Sequence, residues 1–302
     1  MSAEAAIELR PPPGLAAPPP FDRGWAAGDG DVEPFLSYVE DGGEGVHWSA
    51  ALEALHEESS RNHPIDVWTR RAALARLGPV APGSVLMDLG CSTGYLLEDL
   101  RKAHPQAALI GVDLIAAGLV KAHASVPDAR LVQADACRLP LGDASVDGAI
   151  SLNLLEHLPE DGPALRELRR VLRPAGRAVL VVPAGRRLYD YYDRFLGHAR
   201  RYARGELAAK ARRAGLEVEE DLHLGSLLFP AFALIKGRNR RRYARLGNAE
   251  IERRVTADIA KGRNSGAMRA VLRLEEALLR RGVRPPAGIR GLTVARRPGL
   301  DP

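Results

Sequence analysis

The sequence predicts an α/β fold, a doubly wound and mainly parallel sheet with helices on both faces. Two observations carry this expectation. Short apolar runs at 85–89, 108–112, 131–134, 148–152 and 177–182 alternate with segments whose apolar residues recur at helical spacing. The first run is also followed at once by Gly90, which opens a turn into the next helical segment, the arrangement expected of βαβ units.

The elements follow in order. Residues 1–45 contain Pro11, Pro12, Pro13, Pro18, Pro19, Pro20 and Pro34, so this segment is expected to be a disordered or extended tail. A single domain is expected over 46–302. Its first part, 46–78, reads as a helical preface, with Leu52, Leu55, Ile65, Trp68, Ala72, Leu74 and Leu77 apolar and Pro64 breaking it into two helices. The core, 79–223, begins with the strand at 85–89 and a helix from Ser92 to Ala103 that carries Leu96, Leu97 and Leu100 on one face. Strand 108–112, a helix at 116–123, strand 131–134 and strand 148–152 come next. A helix starting near Asp161 shows Leu165, Leu168 and Leu172 and is expected to stop at Pro174. Beyond strand 177–182 and a tyrosine-rich loop, 204–214 reads as a helix ended by Gly215, and 216–222 as a sixth strand. Residues 224–284 are expected to be a helical insertion, and 285–302 to supply the closing strand at 289–295.

Composition excludes several classes. The 302 residues hold no apolar stretch of eighteen or more, so a spanning helix is not expected. Glu4 and Glu8 interrupt the N-terminus, which does not read as a secretory signal. Two cysteines, Cys91 and Cys137, cannot build a disulfide framework, and a reducing, cytoplasmic setting fits them. A net charge of +5 suits an acidic partner or an anionic membrane, and suits ordinary surface charge equally well.

The chemistry is concentrated in Asp88-Leu89-Gly90-Cys91-Ser92-Thr93-Gly94. In open α/β sheets a ligand binds at the carboxyl ends of the strands, where Gly90 and Gly94 let the backbone turn and approach it closely. Ser92 and Thr93 break the G-x-G-x-x-G spacing of a dinucleotide site, and Asp88 would repel a diphosphate. A carboxylate there favours a ligand with ammonium and sulfonium groups. Asp113 ends the second strand, where an acid can accept from ribose hydroxyls, and Asp135 ends the third, placed to accept from an adenine amine. A nucleoside with a cationic tail accounts for all three acids.

These motifs resemble those of the class I S-adenosylmethionine-dependent methyltransferases. So do Ile110-Gly111-Val112-Asp113, Gln133-Ala134-Asp135, Ser151-Leu152-Asn153-Leu154-Leu155-Glu156-His157-Leu158 and Arg170-Val171-Leu172-Arg173-Pro174-Ala175-Gly176, which look like the small-molecule branch that includes ubiquinone and menaquinone methyltransferases. The resemblance covers about 80–182, with weaker similarity as far as Pro298. Ser92 stands where the family usually has a second glycine. The resemblance implies a Rossmann-like, seven-stranded sheet whose last strand is antiparallel, and S-adenosylmethionine as cofactor. It assigns Asp88, Gly90, Cys91, Ser92 and Gly94 to the methionine end, Asp113 to the ribose, Asp135 with Ala136 to the adenine, and Asn153 to the methionine end from across the switch point; Leu114 is expected to join the cofactor site.

Methyl transfer from a sulfonium is an in-line displacement that needs alignment above all, and neither a metal nor a nucleophilic triad is expected. His157 and His198 are the candidate bases, with packing or capping as the alternative role of each. His56 and His63 form no metal signature. The loop with Tyr189, Tyr191, Tyr192, Phe195 and Tyr202 reads as a substrate lid, with Arg200 and Arg201 for an anionic group, or as a structural loop pinned by its aromatics. Residues 224–245 join an apolar block to Lys236, Arg238, Arg240, Arg241, Arg242 and Arg245, a pattern that could make peripheral contact with an anionic membrane or wall off a greasy substrate; a buried helix ending in a solvated basic one is the plainer reading. The acceptor implied is a small molecule or lipid intermediate. An RNA or protein acceptor is the alternative, but no Asn-Pro-Pro-Tyr-like tetrapeptide follows the fourth strand and the basic cluster lacks interleaved aromatics, which disfavours nucleic acid. A non-catalytic scaffold would have no need of the three acids.

Overall fold

The computed structural model describes residues 7–27, 31–39, 61–243, 247, 250, 251, 253 and 266–299. In chain order the elements are β1 (Trp25–Ala26), β2 (Val32–Glu33), β3 (Leu36–Ser37), α1 (Pro64–Leu77), β4 (Val85–Leu89), α2 (Tyr95–Ala103), β5 (Ala108–Asp113), α3 (Ala116–Ser125), β6 (Arg130–Gln133), β7 (Val146–Leu152), α4 (Gly162–Val171), β8 (Leu172–Pro183), α5 (Tyr191–Phe195), α6 (Glu206–Arg213), β9 (Glu217–Leu224), α7 (Phe229–Arg242), α8 (Gly266–Arg280) and β10 (Arg290–Arg296).

The main sheet has the order β3-β6-β5-β4-β7-β8-β10-β9. From β3 to β8 the neighbouring strands are parallel, and β10 lies antiparallel between β8 and β9. Alternation along each strand feeds two cores. Val85, Met87 and Leu89 of β4 face one side with Ala178, Leu180 and Val182 of β8, under Leu165 and Leu168 of α4. Leu86, Val179 and Val181 face the other side, under Trp68 and Leu77 of α1, Leu97 and Leu100 of α2 and Leu119 of α3. Period-two strands covered on both faces are what a doubly wound sheet requires. The strand order reverses between β4 and β7, so their carboxyl ends splay and open a crevice.

The structure corrects three expectations. The Pro-rich segment is not a tail over residues 7–27 and 31–39: Leu36 and Ser37 pair in parallel with Val132 and Gln133, adding an eighth strand to the seven expected. Trp25 is buried and donates its indole N–H to the Leu131 carbonyl at 2.9 Å, and the Arg10 amide donates to Pro140 O at 2.8 Å. Ile7, Leu9, Phe21 and Tyr38 also pack on the core, giving the segment apolar area that proline counting overlooks, while prolines reduce the chain entropy lost on ordering. It also shields the open edge of β6. Second, α4 ends at Val171 and not at Pro174; Leu172 is already extended (φ −63°, ψ 138°) and begins β8, because the residue before a proline avoids the helical region and β8 pairing extends back past it. Third, the apolar block at 224–235 is not a buried helix: Leu224 is buried at the end of β9, but the block is largely open beyond it. Leu227, Leu234 and Ile235 are exposed, whereas Lys236 and Asn239 of α7 turn inward.

The break expected at Pro64 is present: residues 61–62 are helical, His63 is extended, and α1 starts at Pro64. Trp48, Leu52, Leu55, His56 and Arg245 lie outside the described residues. Among the described residues no helix is long and apolar enough to cross a membrane.

Candidate active site

The site forms around the turn that joins β4 to α2. Gly90 (φ +85°), Ser92 (φ +44°) and Gly94 (φ +84°) all take left-handed backbone conformations. The turn is pinned by the Gly90 and Cys91 amides, which donate to Val112 O at 2.8 and 3.1 Å, and by the Gly94 amide, which donates to Cys91 O at 2.8 Å. At Gly94 a Cβ would lie 2.9 Å from the Ala122 Cβ, so only glycine lets α2 start this close to α3. Across the switch point the Ser151 hydroxyl donates to Leu89 O at 2.9 Å, and Asn153 follows β7 with φ +53°, a conformation its side chain tolerates.

A cleft between these ends is lined by Asp88, Gly90, Cys91, Ser92 and Asn153 of the expected set. Asp66, Arg70, Tyr95 and Arg290 also line it, and sequence reading had not singled them out. Arg70 and Arg290 come from α1 and from the start of β10, elements that motif spacing does not connect to the glycine turn.

Asp88 is 1% exposed, and its Oδ2 has no hydrogen-bond partner among the described residues. Burial, reinforced by the neighbouring Asp113, holds its carboxyl well above the usual range, with Arg70 acting in the opposite direction. Asp66 and Arg290 form a hydrogen-bonded ion pair beside it.

The remaining expected positions lie around the cleft without lining it. The Asp113 carboxylate accepts the Ser92 amide at 2.8 Å and the Ile115 amide at 2.9 Å, so here it braces two turns. The Leu114 carbonyl accepts from Gln133 at 3.0 Å. Asp135 is exposed and accepts the Cys137 amide at 2.8 Å, while burial and Asp135 push the Cys137 thiol up to about 11. Ala136 is buried next to it.

A second cluster lies where the loops after β7 and β8 meet. The Glu156 carbonyl accepts the Ala199 amide at 2.7 Å, and the His157 and His198 rings stack edge to face with centroids 4.8 Å apart. Glu156 is fully buried, neither carboxylate oxygen has a hydrogen-bond partner among the described residues, and burial pushes its carboxyl up to about 7. His198 Nδ1 lies 2.9 Å from Asp193 Oδ1. Arg201 also donates to Asp193, at 2.7 Å, and Lys236 bridges Asp190 and Asp193 at 2.6 and 3.2 Å. Sequence reading named both histidines but did not join them to Glu156 or Asp193.

The tyrosine-rich loop is tied down from within. Tyr191 and Tyr202 are buried, Tyr189 donates to His198 O at 2.7 Å, and Tyr202 donates to Asp161 at 2.6 Å. Arg200 donates to the carbonyls of Leu158 and Pro159. Both loop arginines therefore have internal partners, which favours the structural reading of this loop. His63 lies 3.6 Å from Asp66, and burial lowers its pKa.

With this geometry in view, residues 87–180 match the family model described as a methyltransferase domain. The chain is 30% identical over 162 residues to a probable S-adenosylmethionine-dependent methyltransferase of Mycolicibacterium smegmatis, covering 51% of this chain and 61% of that protein. It is 33% identical over 136 residues to the demethylmenaquinone methyltransferase of Corynebacterium kroppenstedtii, covering 42% and 56% respectively. The matches span less than two thirds of the length of these curated relatives. In fold it is similar to Haemonchus contortus phosphoethanolamine N-methyltransferase 2, solved with S-adenosyl-L-methionine (TM-score 0.59, 16% identity, covering 84% of this chain and 59% of that one). Motifs, sheet order and relatives agree: residues 87–180 form a methyltransferase domain, similar to that of S-adenosylmethionine-dependent methyltransferases.

Proposed function

We propose that this protein binds S-adenosylmethionine in the cleft at the tips of β4 and β7 and transfers its methyl group to a small-molecule or lipid-like acceptor. The observation that carries the reading is Asp88, a buried carboxylate with an unpartnered oxygen on the floor of a glycine turn. Burying such a group is unfavourable unless a cation or donor meets it, and a ligand bearing ammonium and sulfonium groups supplies both. The bound cofactor supplies a methyl group already activated on sulfur. The chain's part is then to position: Gly90 to Gly94 present a close backbone wall, Asp88 holds the cationic end, Arg70, whose Nε is paired with Asp99 at 2.8 Å, lines the cleft on the side of the methionine carboxylate, and Asn153 closes the crevice from β7. Alignment of this kind contributes roughly 7–11 kcal/mol to a displacement.

Isothermal titration with S-adenosylmethionine, followed by a radiolabelled methyl-transfer screen over cell-extract fractions, tests the reading. Micromolar-range binding and label transfer into a low-molecular-mass or lipid fraction are expected; no heat at saturating cofactor sinks it. Label in RNA or protein fractions would favour those acceptors.

The exposed Leu227, Leu234 and Ile235 beside the exposed Arg238, Arg241 and Arg242 favour a peripheral membrane contact through 224–245, consistent with a greasy acceptor. Co-sedimentation with phosphatidylserine vesicles that is unchanged when Arg241 and Arg242 are both replaced by Gln would count against it.

A further inference from the structure

The strand pairing that opens the cofactor cleft also brings His198 to two neighbouring side chains, Glu156 and His157, that lie far from it in the sequence. Ser151 and Leu152 of β7 lie opposite Leu180 and Val181 of β8, so the loops leaving both strands run side by side. One loop delivers Glu156 and His157, the other His198. One donor atom from each of these residues lies within 4.8 Å of the others.

Three features make this more than a chance meeting. Glu156 is 0% exposed and both its oxygens lack hydrogen-bond partners among the described residues. An isolated buried carboxylate is strongly unfavourable and is relieved by a proton or by a cation; the two imidazoles beside it supply the further donors that a metal cation needs. The nearby basic side chains are committed elsewhere: Arg201 to Asp193 and the Ala184 carbonyl, Lys236 to Asp190 and Asp193, Arg290 to Asp66. Finally, His198 is oriented as a metal-bound imidazole usually is. Its Nδ1 faces the Asp193 carboxylate at 2.9 Å, which leaves Nε2 as the donor, and Asp193 is fixed in turn by Arg201 and Lys236.

We propose that Glu156, His157 and His198 form a binding site for a divalent first-row transition-metal ion, with Asp193 as the residue that positions His198. Two imidazoles and one carboxylate are the donor set of sites that keep open coordination positions. Metal–nitrogen bonds of about 2.1 Å set neighbouring donors about 3–3.5 Å apart, so rotation of the two rings by about an ångström at the donor atoms closes the cage. Arg290 lines the cofactor cleft and acts electrostatically on Glu156, which puts the ion next to the cleft, where its open positions could hold an oxygen-bearing acceptor. That last role rests on the methyl-transfer reading; binding of the ion does not.

The test uses the full chain stripped with EDTA and titrated with Co(II), read by visible d–d absorption, and with Zn(II), read by calorimetry. A single site with Co(II) bands that Zn(II) displaces is expected. Glu156→Gln, which keeps the shape and removes the charge, and His198→Ala should abolish the bands. Asp193→Asn should weaken binding about 10–100-fold. Circular dichroism confirms that each variant is folded, and should Asp193→Asn unfold, Glu156→Gln alone decides. The proposal is overturned if Co(II) and Zn(II) give no saturable binding, if only Mg(II) binds, or if folded Glu156→Gln binds like the parent chain. Loss of S-adenosylmethionine binding with ion binding intact would instead count against the methyl-transfer reading.

Discussion

Asp113 accepts the Ser92 amide at 2.8 Å and the Ile115 amide at 2.9 Å, so one carboxylate at the tip of β5 ties the turn after β4 to the turn after its own strand. The sequence suggested only a ribose acceptor at this position. The structure adds a mechanical duty, and the two are compatible because each carboxylate oxygen has a second lone pair.

Replacement of Asp113 by Ala is therefore expected to lower stability as well as cofactor affinity. Hydrogen bonds to a charged group contribute about 1.5–3 kcal/mol, and Asp113→Ala should lose an amount of that order in urea melts. Asp113→Asn keeps one carbonyl oxygen for one amide and should fall between the two. Wild-type affinity for S-adenosylmethionine in folded Asp113→Ala would contradict the ribose assignment.

Asp88 predicts a pH dependence of binding. Burial and Asp113 hold its carboxyl well above the usual range in the free protein, and a cationic ligand favours the ionised form. Protons and ligand then compete for one group, so affinity should rise as pH rises toward that elevated pKa, by at most about tenfold per unit, and level off above it. Calorimetry in buffers of different ionisation enthalpy should detect proton release on binding. Asp88→Asn should bind more weakly and show a flat profile over the same interval; a slope as steep as the wild type's would assign the linkage to another group.

Gly94→Ala tests the packing that places the turn. The φ of +84° disfavours any side chain by about 1–2 kcal/mol, and the added Cβ would lie 2.9 Å from the Ala122 Cβ and 3.0 Å from its Cα. Because α3 backbone cannot move aside cheaply, the variant should be less stable and lose cofactor binding together. Gly83→Ala, also at positive φ but with open space around the position, separates the two effects: it should show only the conformational part, and bind cofactor normally.

What could be read in advance follows from the range of the interactions. The glycine turn, Asp88, Asp113 and Asn153 are legible because each sits at a fixed offset from a strand end, so local spacing already encodes the neighbourhood. The partnership of Glu156 with His198 depends instead on the parallel pairing of β7 with β8, and that of Asp66 with Arg290 on β10 inserting beside β8; neither has a local signature. Lys236 sits in sequence among the basic residues of α7, yet it faces Asp190 and Asp193, a position set by the orientation of the helix and not by local spacing. The same holds for the N-terminal segment. Its prolines are local, whereas the partners of Trp25 and Leu36 lie on β6.

Trp25→Ala measures how firmly that segment is docked. The indole is 3% exposed and hydrogen-bonded to Leu131 O, and loss of a buried aromatic side chain costs about 3–5 kcal/mol when its site is part of the cooperative core. A lowered melting temperature with faster proteolysis between 7 and 39 is expected. Unchanged stability, with cleavage in this region already rapid in the wild type, would restore the reading of the segment as a tail.

Asp161 joins the tyrosine-rich loop to α6 and sets a pH signature of its own. Burial alone would raise its pKa, but the Lys210 and Tyr202 hydrogen bonds, with Arg200 nearby, outweigh it and the carboxyl is held below its ordinary value. A carboxylate with a depressed pKa stabilises the folded state above the unfolded value of about 3.9, and that stabilisation disappears as pH falls through the lower folded value. Asp161→Asn should therefore be less stable than the wild type at pH 7, by about 1–3 kcal/mol for a charge-assisted hydrogen bond, and the gap should narrow under acid conditions. Urea melts of both proteins across the carboxylate range check this. A gap that stays constant with pH would mean that Asp161 acts through shape and neutral hydrogen bonding, since only its ionised form gains from Lys210.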